Sequence, residues 1–201
     1  MYRCFVLSFF CFVCFFEAQA QSYQQRIISH REKYKQEFLE DENSPLKKRD
    51  LKFLQFFEID SVYKVVGDFS RIIDTLGFDM HTHSGVIKKY YVYGSVEFVL
   101  KNTPCKLFIY QSEKLKNKEG FEDYLFIPFT DPTNNVSSFG GGRYLDFRFS
   151  DIIHNQLTID FNTSYNPYCA YKGGYACPIP PRENDLSISV EAGEMNFGKG
   201  L

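Results

Sequence analysis

"SVEFVLKNTPCKLFIYQ", residues 95–111, alternates apolar and polar side chains on both sides of a central turn. Val96, Phe98 and Leu100 share one face of the first run, and Cys105, Leu107 and Ile109 share one face of the second. A period of two is that of an extended strand with one buried face, and "KNTP" between the runs is turn-forming. The same alternation recurs upstream in "VYKVVGDFS", where Tyr63, Val65 and Phe69 align, and downstream in "YLFIPF", "RYLDFRF", "LTIDFN" and "LSISVEA". "DPTNN", "FGGG" and "ENDL" separate these runs. Closely spaced strands without helical stretches between them predict a mainly β fold over residues 59–201, a single antiparallel sandwich or barrel-like domain.

Residues 22–42, "SYQQRIISHREKYKQEFLEDE", change period. Ile27, Arg31, Tyr34 and Phe38 fall on one helical stripe amid charge, which predicts an amphipathic helix lying across the outside of the β domain. Ser44-Pro45 offers an N-cap and an N1 proline, so "SPLKKRDLKFLQFF" is expected to open a short second helix. Residues 21–58 thus read as an N-terminal helical cover.

The first 20 residues carry a different signal. Arg3 precedes an apolar run from Cys4 to Phe16, and Ala18-Gln19-Ala20 forms a small-residue cleavage pattern. About thirteen apolar residues fall short of the roughly 20 needed to cross a bilayer as a helix. This predicts a signal peptide cut after Ala20, a periplasmic or secreted protein, and no integral membrane segment after cleavage. Loss of Arg3 and Glu17 together leaves the formal charge at −2, so no basic stripe points to nucleic acid. A chain of about 180 residues suffices for one well-buried domain. Aromatics make up 18% of the sequence, a globular and not a disordered composition.

Export governs the cysteines. Cys4, Cys11 and Cys14 leave with the signal, and of the remaining three, two are expected to pair in an oxidising compartment. Cys169 with Cys177 is the parsimonious pair, since Gly173-Gly174 lets the chain turn back between them. Cys105 aligns with Leu107 and Ile109 and reads as a buried free thiol.

Alternation also sorts the polar side chains. In "RYLDFRF", Leu145, Phe147 and Phe149 oppose Tyr144, Asp146 and Arg148; in "LTIDFN", Leu157, Ile159 and Phe161 oppose Thr158, Asp160 and Asn162. If these strands pair as a hairpin around "SDIIHNQ", Asp146, Arg148, Asp160 and Asn162 line one surface, either a site or a merely solvated sheet face. "FGGGRY" permits close approach of a ligand or of another backbone ahead of Arg143, and no helix follows to make it a phosphate loop. In "NPYCAY", Asn166-Pro167 initiates a turn. His81 and His83 are spaced to share a metal on a strand, yet no H-E-x-x-H or C-x-x-C accompanies them, and two exposed histidines near a turn is the simpler account. G-x-S-x-G is absent as well, and no metal or cofactor is expected.

"YLFIPFTDPT", "FGGGRYLDF", "IDFNTSYNPYCAY", "CPIPPREN" and "VEAGE", in that order, resemble the DUF1684 family of bacterial proteins, a domain of unknown function. "SHREKYKQEFLEDENSPL" and "YKVVGDF" are similar to the N-terminal part of its shorter, exported members. The resemblance implies an envelope or secreted protein and brings no activity to carry over. It draws attention to the polar residues its motifs contain: Asp131, Arg143, Asp146, Asp160, Asn162, Tyr165, Asn166, Glu183, Asn184 and Glu194. A buried Arg143 paired with Asp146 or Asp160 would be either a lock on the end of the β domain or a site for an anionic or carbonyl-bearing ligand.

Three functions follow as expectations. The first is a small-ligand-binding β domain whose mouth uses Arg143, Asp146, Asp160, Asn162, Tyr165, Asn166, Tyr168 and Tyr171. The second is a carboxylate-dependent hydrolase or lyase with Asp146 or Asp160 as base. The third is an envelope structural or interaction protein.

Overall fold

The computed structural model describes residues 3–198, with side chains described from Ser22 onward. The leader expected over residues 1–20 lies outside the described side chains.

Residues 95–111 form the centre of the sheet. They belong to β3 (Lys88–Leu100) and β4 (Thr103–Ser112), joined by Lys101 and Asn102 at φ 47° and 65°. Two consecutive positive-φ residues make the short hairpin loop whose twist matches that of the strands. Around this hairpin lie β1 (Lys64–Arg71), β2 (Phe78–Met80), β5 (Tyr124–Phe129), β6 (Arg143–Arg148), β7 (Ile152–Ile153) and β8 (Gln156–Asp160). The order is β6-β5-β4-β3-β1-β8-β7, with β2 against β3 and every pair antiparallel.

Val96, Leu107, Ile109, Leu125, Ile127, Leu157 and Ile159 are fully buried on one face. Each contributes roughly 1.5–3 kcal/mol by removal from water. The opposite face of β3–β6 is covered too: Tyr90, Tyr110, Phe126 and Tyr144 pack there against Met80. It is therefore not the solvated surface that alternation alone suggested.

Three local expectations are corrected. "SDIIHNQ" closes on itself as a β7–β8 hairpin, because His154 and Asn155 adopt φ 51° and 59°, and β8 gives its other edge to β1. β6 and β8 are not paired, so Asp146 and Arg148 do not share a strand-pair surface with Asp160 and Asn162. The segment leaving β8 does reach β6: Tyr144 and Tyr165 exchange backbone hydrogen bonds of 2.9 and 3.1 Å.

"LSISVEA" is not a strand. The carbonyls of Val190 and Ala192 are taken by the Arg143 guanidinium and the Val190 N–H by Asp131, which removes them from any ladder. Nor does Ser44-Pro45 start a helix. Ser44 Oγ accepts from Leu46 N and donates to Leu46 O, a local turn that competes with helix formation, and only a 3-10 turn at Leu51–Phe53 follows. The short helix α2 (Glu113–Lys116) instead follows β4, capped by Ser112.

α1 (Arg3–Glu40) turns Tyr23, Ile27 and Phe38 inward, with Tyr34 half-buried. Arg31, on the same stripe, donates to Phe57 O at 2.9 Å and lies 4.7 Å above the Phe56 ring, so its charge is used and not left solvated. Phe38 packs with Leu46, Leu54, Ala170 and Tyr171, placing the end of the helix over the "NPYCAY" loop. That loop is closed by the Cys169–Cys177 disulfide, with Cα atoms 6.3 Å apart. Cys105 is a free thiol but only half-buried, since it packs against the inner-face cluster at the edge of a surface recess lined by Val65, Phe98 and Pro104. Among the described residues no helix is long and apolar enough to cross a membrane.

Candidate functional site

The glycine run ends at Gly142, at φ 86°, where a Cβ would lie 2.6 Å from both Phe129 O and the Pro180 ring. Only glycine fits this approach. The turn launches β6 with Arg143 on the inner face beside Leu145. Arg143 is 0% exposed; Nη2 donates to Asp131 Oδ2 and to Val190 O, both at 2.7 Å. Asp131 Oδ1 accepts from Thr133 N and Val190 N at 2.9 and 3.0 Å. The partner of Arg143 is thus Asp131, neither Asp146 nor Asp160. Period two decides this: Asp146 lies on the other face of β6, out of reach. Asn184, equally buried, ties β4 to β5 through Phe108 and Pro128.

Above this framework α1 covers three carboxyl groups, each met by tyrosine. Asp160 accepts from Tyr23 Oη at 3.0 Å and from Asn162 N at 3.1 Å, while Asn162 Nδ2 bridges Tyr23 Oη and Asp60 O. Asp160 and Asn162 therefore seat the turn of α1 that carries Tyr23. Glu194 is fully buried; it accepts from Tyr171 Oη at 2.7 Å, Tyr34 Oη at 3.0 Å and Asn166 N at 2.9 Å. Burial outweighs these bonds and pushes its carboxyl up from 4.5 to about 7.

Asp146 is the third. Its Oδ1 accepts from Tyr124 Oη at 2.6 Å and Tyr165 Oη at 2.7 Å. Asp146 is exposed at the protein surface, yet the protein packed on one side of its carboxyl raises its pKa, with Glu37 adding to the rise and the two tyrosine hydrogen bonds and the Arg148 charge opposing it.

Two adjoining recesses share Tyr165 and Tyr168 as walls. The first, about 400 Å³, lies between α1 and β6 and is lined by His30, Tyr34, Glu37, Phe38, Asp146 and Thr163 besides the shared pair. The second, about 360 Å³, is aromatic: Tyr90, Tyr124, Phe126, Tyr144 and Tyr175 face it, with Lys88, Cys177 and Pro178. Lys88 Nζ donates to Ala176 O at 2.5 Å. The disulfide loop builds one wall of the second recess, and the Tyr168 hydroxyl is fixed by Asp41 at 2.8 Å.

Of the residues singled out from sequence, Asp146, Tyr165 and Tyr168 line these recesses. Arg143, Asn166 and Tyr171 lie behind the walls, and Asp160 and Asn162 lie under the Tyr23 turn of α1. His30, Tyr34, Glu37 and Tyr124 were not anticipated as site residues. The aromatic end of the α1 stripe, Tyr34 and Phe38, was the signal available for them. His81 and His83 are exposed in a loop whose Thr82 pairs with Pro178. A groove of about 720 Å³ between Phe78, Phe108 and Pro181 includes Glu183 at its edge but none of the three covered carboxyls.

The fold resembles the solution structure of an uncharacterised protein of Haloarcula marismortui, at 26% identity and a TM-score of 0.68, covering 89% of this chain and 97% of that one. No curated protein matches the chain. The model of the DUF1684 family, described as protein of unknown function, matches residues 49–195, from the approach to β1 through the buried Glu194, and the chain belongs to that family.

Proposed function

We propose that the chain is an exported small-ligand-binding β domain whose site is the pair of recesses sharing Tyr165 and Tyr168. The observation that carries this is their construction. Two tyrosines on one short segment separate two cavities, and the disulfide, the Tyr144–Tyr165 backbone pairing and the Tyr168–Asp41 hydrogen bond hold that segment in place. Walls fixed before binding lower the entropy cost of holding a ligand. The leader pattern over residues 1–20 and the disulfide support an oxidising compartment outside the cytoplasm.

A carboxylate-dependent hydrolase or lyase is the second hypothesis. Asp146, an accessible carboxyl raised by burial, favours it. Arg143 offers such chemistry no anion-stabilising group, since its guanidinium is sealed beneath the recesses.

The test is native mass spectrometry of the protein exported to a bacterial periplasm, beside a denatured sample. Binding predicts excess mass that departs on denaturation and is absent from Tyr168→Ser. Failure to retain any mass, together with no thermal shift from a broad small-molecule panel, would reject it.

A further inference from the structure

The α1–β6 recess has an uneven inventory. No Lys or Arg lines it, while Asp146 stands on the β6 wall and Glu37 on the α1 wall. Both tyrosine hydroxyls that meet Asp146 converge on Oδ1, which leaves Oδ2 open to the recess with no protein donor among the described residues. No cation is paired with Asp146 among the described residues. Arg148, two positions along the strand, is committed to Asp123 and Gly120 O, and Lys33 reaches Glu37 only at 3.7 Å on the exposed side of α1. His30, the remaining basic group, is held below its ordinary pKa chiefly by burial and makes no ion pair with Asp146.

The remaining walls are ring faces. Tyr34 and Tyr165 have centroids 5.8 Å apart at 49°, Tyr34 and Phe38 5.0 Å at 72°, and Phe38 and Tyr168 5.6 Å at 34°. Rings set at such mutual angles curve around a space and present their electron-rich faces in several directions.

From this geometry we infer that the recess binds a protonated organic amine, whose ammonium group donates to Asp146 Oδ2 and rests against Tyr34, Tyr165 and Tyr168. This rests on the ligand-binding function proposed above and specifies its ligand class. An ammonium with N–H donors meets both features at once: an unpaired acceptor of opposite charge, and aromatic faces that attract cations. An anion would face two carboxylates. A neutral polyol satisfies Oδ2 but brings no charge opposite to that of Asp146 and Glu37. A volume of about 400 Å³ accommodates the ammonium and a short apolar body, not a polymer.

The experiment is isothermal titration calorimetry on the whole exported protein at neutral pH, using three probes with one aromatic body: phenethylammonium, 2-phenylethanol and phenylacetate. Phenethylammonium should bind about tenfold or more tighter than the alcohol, with no measurable binding of phenylacetate. Asp146→Asn keeps an acceptor for Tyr124 and Tyr165 and so keeps the fold, checked by its melting temperature, but should lose about tenfold in phenethylammonium affinity. Glu37→Gln, on the exposed helix face, should lose only a few-fold, with the difference vanishing at high salt. Equal binding of the alcohol and the amine, or an unchanged affinity in Asp146→Asn, overturns the amine assignment and leaves the binding site standing. So does a Tyr168-dependent retained mass in a protein that binds none of the three. If no probe binds and no mass is retained, the assignment and the binding function fall together.

Discussion

Replacing Glu194 by Gln should remove a titration that the fold carries close to neutrality. The unfolded chain ionises this carboxyl near 4.5, whereas the folded protein holds its proton to about 7 because burial outweighs the hydrogen bonds that favour the anion. Below the unfolded value both states are protonated and the stabilisation is complete. Between the two values the unfolded chain gives up its proton and the folded one keeps it, so stability falls as pH rises. Above the folded value both are ionised and the loss is finished. A carboxyl moved from 4.5 to about 7 carries about 3 kcal/mol in total, of which roughly 2–3 kcal/mol falls between pH 5 and 8. Asp146 is shifted in the same direction, whereas His30, lowered chiefly by burial, has the opposite slope below its ordinary 6.5. The difference between wild type and Glu194→Gln isolates the one group. Gln still accepts from Tyr34 and Tyr171, and its amide supplies a donor near Asn166 Oδ1, a buried acceptor without a partner. With 14 tyrosines and no tryptophan, urea unfolding is best followed by near-ultraviolet circular dichroism. The wild-type midpoint should drop by about 1 M relative to the Gln variant as pH goes from 5 to 8. Midpoints that run parallel across that range would refute the reasoning.

Arg143→Met should cost about 3–5 kcal/mol, because it strands the Asp131 carboxylate and two carbonyls in a dry interior. A calorimetric melting point lowered by less than about 2 °C would contradict this, and a cycle with Asp131→Asn should be strongly non-additive. Reducing the Cys169–Cys177 bond, or replacing both residues by Ser, should cost about 2.5 kcal/mol by the chain-entropy argument for a ring of about nine residues. A reduced sample melting with the oxidised one would show that the bond does not constrain the loop.

The β architecture was legible because the strands of the central hairpin write the burial of their inner face into every second residue, and residues 95–111 do so on both sides of their turn. The same rule, followed one step further, places Arg143 beside Leu145 and away from Asp146, so the true pairing was half-visible. What alternation cannot give is the partner of an inward arginine, since Asp131 lies 12 residues upstream in a loop with no period at all. "LSISVEA" shows the reverse failure. It has the pattern of a strand, but its carbonyls are bound by a side chain, and hydrogen bonding to Arg143 outranks local alternation. Ser44-Pro45 failed for a related reason: a serine hydroxyl can close its own turn as readily as cap a helix.

Tyrosine explains why the cover and the site belong together. The mouth holds carboxyl groups under a helix, and each needs a donor that is itself acceptable in an apolar seam. Lys and Arg bring a full charge and a hydration shell into that seam. Tyr brings one O–H and a ring that packs as a hydrocarbon. Tyr23 and Tyr34 from α1, with Tyr165 and Tyr171 from the segment after β8, take this part at Asp160, Glu194 and Asp146. Because the donors are neutral, none of these carboxyls has a salt-bridge partner among the described residues: Glu194 answers by holding a proton, and Asp146, open at one oxygen, is left able to take a cation. Sealing with tyrosine therefore makes one buried acid into a titrating anchor for α1 and its accessible neighbour into the natural point of attachment for an amine.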